Sequence, residues 1–238
     1  MELGKDMYEY LTNFADDKDI LNMLSVNKKF RDEKFFERVM IRRYPNMINF
    51  KRDNDSWKSF FIKTIYYVSK LKEEYGIDSR FIKINPIYFY KSHKKYAGGN
   101  IYSAALRAAQ ENLTVNTNDM MKFVQLMITK GGDHNVGLNI AIQRDRLDVA
   151  KELLEKGAIA DLATRAAVRG NNIKGLKFIF DETGNLHKNE ALLSAASSGK
   201  LDLLKFIIES GATDFRRAYE NAKSYDNKEI LEYLRRFL

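Results

Sequence analysis

From residue 121 onward, apolar positions recur at helical spacing in blocks that repeat along the chain. The blocks are 121–132 (MKFVQLMITKGG), 147–158 (LDVAKELLEKGA), 173–184 (IKGLKFIFDETG), 201–212 (LDLLKFIIESGA) and the shorter 227–234 (NKEILEYL). Their starts lie 26, 26, 28 and 26 residues apart. Each predicts an amphipathic helix. Gly131, Gly157 and Gly211 suit the left-handed position that closes a helix. A shorter helix is expected before each block, with Ala141, Ala167 and Ala195 at matching places and Asn221 as the exception; small residues there let helices approach closely. Polar turns at Asp145-Arg146, Asn171-Asn172, Gly199-Lys200 and Tyr225-Asp226 separate the two helices. One such pair cannot bury both its apolar faces, so neighbouring pairs are expected to stack into a solenoid.

The unit resembles the ankyrin repeat. The likeness is carried by Leu138 and Ala141 followed by the run from Leu147 to Ala158, and again by Leu201 to Ala212. The Thr-Pro-Leu-His opening is absent, and the period is about six residues short of the usual ~33. The protruding β-hairpin loops should therefore be trimmed. Short units of this kind look like those of large DNA viruses of protists. Residues 101–238 are assigned to this region as about five helix pairs, with Ile101 to Ala109 as the first helix and Glu111 to Asn118 as an insertion. The resemblance implies a client protein held by the shorter helices and the loops before them. The exposed candidates there are Asn139, Gln143, Arg144, Arg165, Arg169, Ser194, Ser197 and Arg217.

Three short helices and a long one are predicted before residue 77. The first covers 3–13. Asp16 or Asp17 caps the second, which carries Ile20, Leu21, Met23 and Leu24. The third holds Phe35, Phe36, Val39 and Met40 and stops before Pro45. Asp55 is a suitable N-cap for the long helix, whose Trp57, Phe60, Phe61, Thr64, Ile65, Val68, Leu71 and Tyr75 share one face and which Gly76 ends. The run from Asp19 to Phe30, with Phe35-Phe36-Glu37-Arg38 after it, resembles the F-box, although its usual opening Leu-Pro pair is missing. The resemblance implies docking on the Skp-type adaptor of a cullin–RING ubiquitin ligase through Leu11, Ile20, Leu21, Leu24, Val26, Phe30 and Phe36. For any one of these side chains, core packing is the more frequent role. Burial of Ile20, Leu21 and Phe36 against Trp57 and Phe61 would count against docking; exposure would count for it.

Residues 77–100 carry no clear period and are assigned as a connector between the module at 1–76 and the repeats. Their aromatic and basic mixture, Tyr88-Phe89-Tyr90-Lys91 to Tyr96, could stack bases, but packing against the first repeat is the plainer expectation. The net charge of +8 is concentrated N-terminally. Residues 1–100 hold 20 Lys+Arg against 14 Asp+Glu. Such an excess suits nucleic acid or acidic proteins without naming either.

The absence of cysteine removes thiol nucleophiles and disulfides, and His93, His134 and His187 show no metal-ligand spacing. No phosphate-binding loop, GxSxG or HExxH motif occurs. No stretch approaches the ~20 apolar residues of a membrane span, and the N-terminus has no apolar leader. With only two prolines, an all-α protein is expected. The reading is a non-enzymatic intracellular adaptor without cofactors. It would place the protein in a host cytoplasm, nucleus or virus particle. A structural or packaging component of a virus particle, or a decoy sequestering a host protein, is the alternative.

Overall fold

The structure, a computed structural model, describes residues 16–26, 32–81, 85–95, 99–110, 112 and 114–238. Among the described residues every regular element is helical and no strand occurs. No helix there is long and apolar enough to cross a membrane. The chain divides into two compact units, Met1–Val115 and Asn116–Leu238.

The first unit contains α1 (Asp17–Val26), α2 (Glu33–Arg43), a 3-10 helix over Pro45–Phe50, α3 (Trp57–Tyr75), α4 (Pro86–Lys95) and α5 (Ile101–Gln110). Asp16 starts α1 by accepting from the Asp19 N–H at 2.7 Å, and Asp32 caps α2. The long helix ends at Gly76, where φ is 68°. Its N-cap is Ser56, not Asp55. Ser56 accepts from the Ser59 N–H at 3.1 Å, while the Asp55 carboxylate is drawn off to Lys63 at 2.7 Å.

The connector expectation also needs correction. Asn85 accepts from the Ile87 N–H at 2.9 Å, and Pro86 with its fixed φ follows at the first helical position, so a helix forms. That helix, α4, packs on α3 with Phe89 and Tyr90 buried. The Tyr90 hydroxyl reaches Glu74 at 2.7 Å, so Phe89 and Tyr90 are spent inside the first unit, while Tyr88 stays exposed and Tyr96 lies outside the described residues. Helix α5, expected as the opening of the repeats, falls in the same unit.

The second unit begins with α6 (Thr117–Thr129) and continues as four helix pairs. They are α7 (His134–Gln143) with α8 (Leu147–Glu155), α9 (Ala160–Arg169) with α10 (Ile173–Thr183), α11 (Lys188–Ser197) with α12 (Leu201–Glu209), and α13 (Phe215–Ser224) with α14 (Lys228–Leu234). First helices stack on first helices, α7 to α9 to α11 to α13. Each pair is closed by one left-handed residue: Asp145, Asn171, Gly199 and Asp226, with φ of 53°, 54°, 70° and 54°. The next residue returns its N–H to a carbonyl five positions back: Arg146 to Ala141, Asn172 to Ala167, Lys200 to Ala195 and Asn227 to Ala222. This places Ala222, not Asn221, as the fourth alanine, and Asp226-Asn227 as the fourth turn. The four repeated bonds set this register, one residue beyond the expected one. All four alanines are buried. Gly131, Gly157 and Gly211 take φ of 91°, 89° and 102°, as helix-closing residues do.

The turn residue also ties one pair to the one before it. Asn172 donates to the Ile142 carbonyl at 2.7 Å. Lys200 donates to the Val168 carbonyl at 2.9 Å. Asn227 donates to the Ala196 carbonyl at 2.7 Å. A second series runs along the N-terminal ends of the first helices. Asn135 accepts from the Ile159 N–H at 2.6 Å, His187 meets Asp161 at 2.5 Å, and Asn189 accepts from the Thr213 N–H at 2.8 Å. Apart from the side-chain pair of His187 and Asp161, these bonds satisfy backbone groups at or beside the helix ends.

Two glycines give opposite predictions. A Cβ on Gly175 would lie 2.6 Å from the Ile142 Cγ2 methyl and 3.1 Å from Asn172, the clamp side chain. Gly175→Ala should therefore cost about 1–3 kcal/mol despite the better helix propensity of alanine. Gly170 has φ of −75° and room for a Cβ, so Gly170→Ala should add about 0.4–1 kcal/mol. Urea unfolding of both variants is the check.

In the first turn, the Arg146 guanidinium bonds the Asp148 carboxylate at 2.6 Å and holds its pKa down at about 2. A depressed carboxylate stabilises the fold above its unfolded pKa of about 3.9 and loses that contribution as pH falls through the folded value. Carboxyl NMR should titrate Asp148 near the depressed value, and Arg146→Gln should return it to the ordinary range.

Candidate interaction surfaces

The anchors expected at the N-terminal docking face divide sharply. Leu11 and Phe30 lie outside the described residues. Ile20 and Phe36 are wholly buried and Leu24 nearly so, in one core with Phe35, Val39, Met40, Met47, Phe60, Phe61 and Ile65. Phe36 packs on Phe61 with ring centroids 5.5 Å apart. Leu21 and Trp57 are partly buried against the same cluster. Val26, at the end of α1, is 89% exposed.

The burial has an electrostatic pin. The Asp17 carboxylate, in the first turn of α1, takes the Arg43 guanidinium at 2.7 Å and the Tyr44 hydroxyl from the end of α2. Burial pushes the Tyr44 phenol above its usual range, and the bond to Asp17 pushes the same way. With α1 fixed at this end, its Ile20 and Leu24 face the core. The aliphatic helix therefore completes the hydrophobic core of its own unit and offers little apolar surface outward.

The second candidate surface runs along the first helices of the stacked pairs. Asn139 and Gln143 stand on α7 and Arg144 caps its end; Arg165 and Arg169 stand on α9, Ser194 and Ser197 on α11, and Arg217 on α13. Gln143, Arg165, Arg169 and Arg217 are exposed. Asn139 and Arg144 are half-buried, and the Asn139 Oδ1 is buried with no hydrogen-bond donor among the described residues. Some of this polarity is already committed. Arg165 pairs with Glu190 on the next first helix at 3.3 Å, and Arg217 with Asp214 at 3.1 Å. The Ser197 hydroxyl donates to the Ser194 carbonyl within its own helix at 3.0 Å.

The structure adds three apolar side chains to this surface. Ile159, Leu162 and Leu186 are 53%, 40% and 76% exposed. The bond between His187 and Asp161 joins the segments that carry two of them, since Leu186 precedes the histidine and Leu162 follows the aspartate; Ile159 stands at the start of the same helix as Leu162. One signal was present in the sequence: α9 opens at Ile159, a residue type disfavoured at an N-cap, where α7 opens at Asp133, whose side chain accepts from the Asn135 N–H.

Among the described residues no cluster of three or more His, Asp or Glu side chains could hold a metal ion. No family model matches the chain, and no curated protein matches it at a significant level.

The division of the N-terminal anchors is measurable. Phe36→Ala should destabilise the first unit by about 3–5 kcal/mol, as a large core deletion does. Val26→Asp should stay within about 0.5 kcal/mol of the wild type, as exposed substitutions do. Denaturant unfolding followed by circular dichroism distinguishes them.

Proposed function

We propose that this protein is a non-enzymatic protein–protein interaction scaffold whose stacked helix pairs, read as a degenerate ankyrin-type solenoid, hold a client. One observation carries the reading. The bonds between pairs use the turn residues and the helix ends, and they leave Ile159, Leu162 and Leu186 outside, beside Arg165 and Arg169. Exposed apolar side chains with arginines on the same helix have the composition of a binding surface. The helix stack supplies rigidity, so little ordering entropy is lost on binding.

The narrower part of the proposal is that the N-terminal unit, as an F-box-like module, docks on the Skp-type adaptor of a cullin–RING ligase. The chain would then supply geometry and the ligase the chemistry. Burial of Ile20, Leu24 and Phe36 weighs against that part and leaves Val26 and the open side of Leu21 to carry it.

Both parts are tested with the full chain. A variant with Leu162→Asp and Leu186→Asp changes only exposed side chains and should keep its helical circular dichroism. Proteins captured by the wild type and released by this variant support a client on the stacked helices; capture that the variant retains removes it. In a separate arm, purified Skp-type adaptor is titrated against the wild type and against Val26→Asp. Binding lost with Val26→Asp supports ligase docking, and absence of binding ends that part while leaving the scaffold standing.

A further inference from the structure

A groove of about 630 Å³ lies in the first unit, between the loop that precedes α3, the N-terminal half of α3 and the start of α4. Its volume falls in the range of small-molecule sites, about 300–1,000 Å³. It is separate from both surfaces above. Phe60, almost fully buried, sits among its lining residues. Tyr67 stands on another side and is held there by neighbours. Its ring lies 5.5 Å from Tyr90, whose hydroxyl is fixed by Glu74, and 5.1 Å from Tyr66. The Phe50 ring, part exposed, lines the groove as well.

Three cations reach the groove from three different elements: Arg52 from the loop, Lys63 from α3 and Lys91 from α4. Two carboxylates, Asp53 and Asp55, line it too. Asp55 is neutralised by Lys63 at 2.7 Å, and that bond keeps its carboxyl below the usual range and ionised. Arg52 also acts on Asp55 through space, and three cations against two carboxylates leave the lining with one positive charge in excess. The Arg52 guanidinium has no hydrogen-bond or ion-pair partner among the described residues. The Lys91 ammonium already lies over the Tyr67 ring, 5.6 Å from its centre, so a phosphate that draws it aside is what opens that ring to a base. Asn85 spends its carbonyl oxygen on the Ile87 N–H, which leaves its amide hydrogens to donate. The groove thus offers guanidinium, ammonium and amide donors next to an immobilised aromatic ring.

This is the complement of a ligand with an anionic end and a planar, hydrogen-bonding body. We propose that the groove binds a nucleoside phosphate, with the phosphate met by Arg52 and Lys91 and the base laid against Tyr67. The same chemistry comes from a free nucleotide or from one residue of a single strand, where aromatic stacking and cationic contacts act together. The basic excess of residues 1–100, 20 Lys+Arg over 14 Asp+Glu, favours the approach of either.

Calorimetric titration of the full chain with AMP, adenosine, inorganic phosphate and a short single-stranded oligoadenylate tests the proposal. AMP should bind more tightly than adenosine or phosphate. Arg52→Glu and Lys91→Glu, both at exposed positions, should each weaken AMP about tenfold or more, the worth of one charge-assisted hydrogen bond, without changing the circular dichroism. An oligoadenylate that binds more tightly than AMP, and weakens with the same two variants, assigns the groove to a strand; equal affinity assigns it to the free nucleotide. The proposal falls if AMP gives no binding at millimolar concentration or if phosphate alone binds as well as AMP. It also falls if either ligand is indifferent to both charge reversals.

Discussion

The second unit depends on a backbone constraint that recurs four times. After each first helix the chain must turn through one left-handed residue so that the next N–H can return to an alanine carbonyl. Asp145, Asn171, Gly199 and Asp226 are residue types that accept this conformation at low cost. The turn brings the second helix back at a fixed angle, and the alanine at its foot lets adjacent helices approach. It also aims the following side chain, Asn172, Lys200 or Asn227, at the carbonyls of the pair before. Local geometry and the register between neighbouring pairs are thus set by the same two residues.

A stack held this way has its stabilising groups on the inside and at the turns. The outward positions of the first helices are then open to variation, and the exposed isoleucine and leucines occupy them. The third pair departs from the pattern. Gly184 takes φ of 65° with an extended ψ, and a short 3-10 helix over Gly184–His187 follows before α11. That detour carries Leu186 outward and His187 to Asp161. The irregular repeat therefore supplies the most exposed of the three apolar side chains.

The first unit has a different economy of surface. Its aliphatic helix α1 is amphipathic and short, and it is fixed through Asp17 to the end of α2. Ile20, Leu24 and Phe36 share a core with the long helix α3. A partner that needed those side chains would have to compete with Phe61 and Ile65 for them. The more distinctive surface of this unit is polar, the groove in which Arg52 and Lys91 flank a fixed tyrosine.

Among the described residues the helices other than α4, the helix-closing glycines and the repeat itself were legible in the sequence, because each is a local matter of periodicity and backbone preference; the helix expected over 3–13 lies outside those residues. The ends of α2 and α3 at Tyr44-Pro45 and Gly76 were readable for the same reason. Errors arose where a residue had two possible partners. Asp55 has the chemistry of an N-cap, but Lys63 on the next turns competed for it. Asn221 and Ala222 are adjacent on a helix, and only the bond from Asn227 to the Ala222 carbonyl distinguishes them. Residues 85–95 lack a clear apolar period because two aromatics, Phe89 and Tyr90, are buried while Tyr88 is exposed, and the helix they pack on, α3, has a position not written locally. The same limit governs function. An apolar stripe states that a face will be buried. Whether it is covered by its own chain, as at Ile20 and Phe36, or left open, as at Leu162 and Leu186, is decided by contacts between residues distant in sequence, which form only when the helices pack.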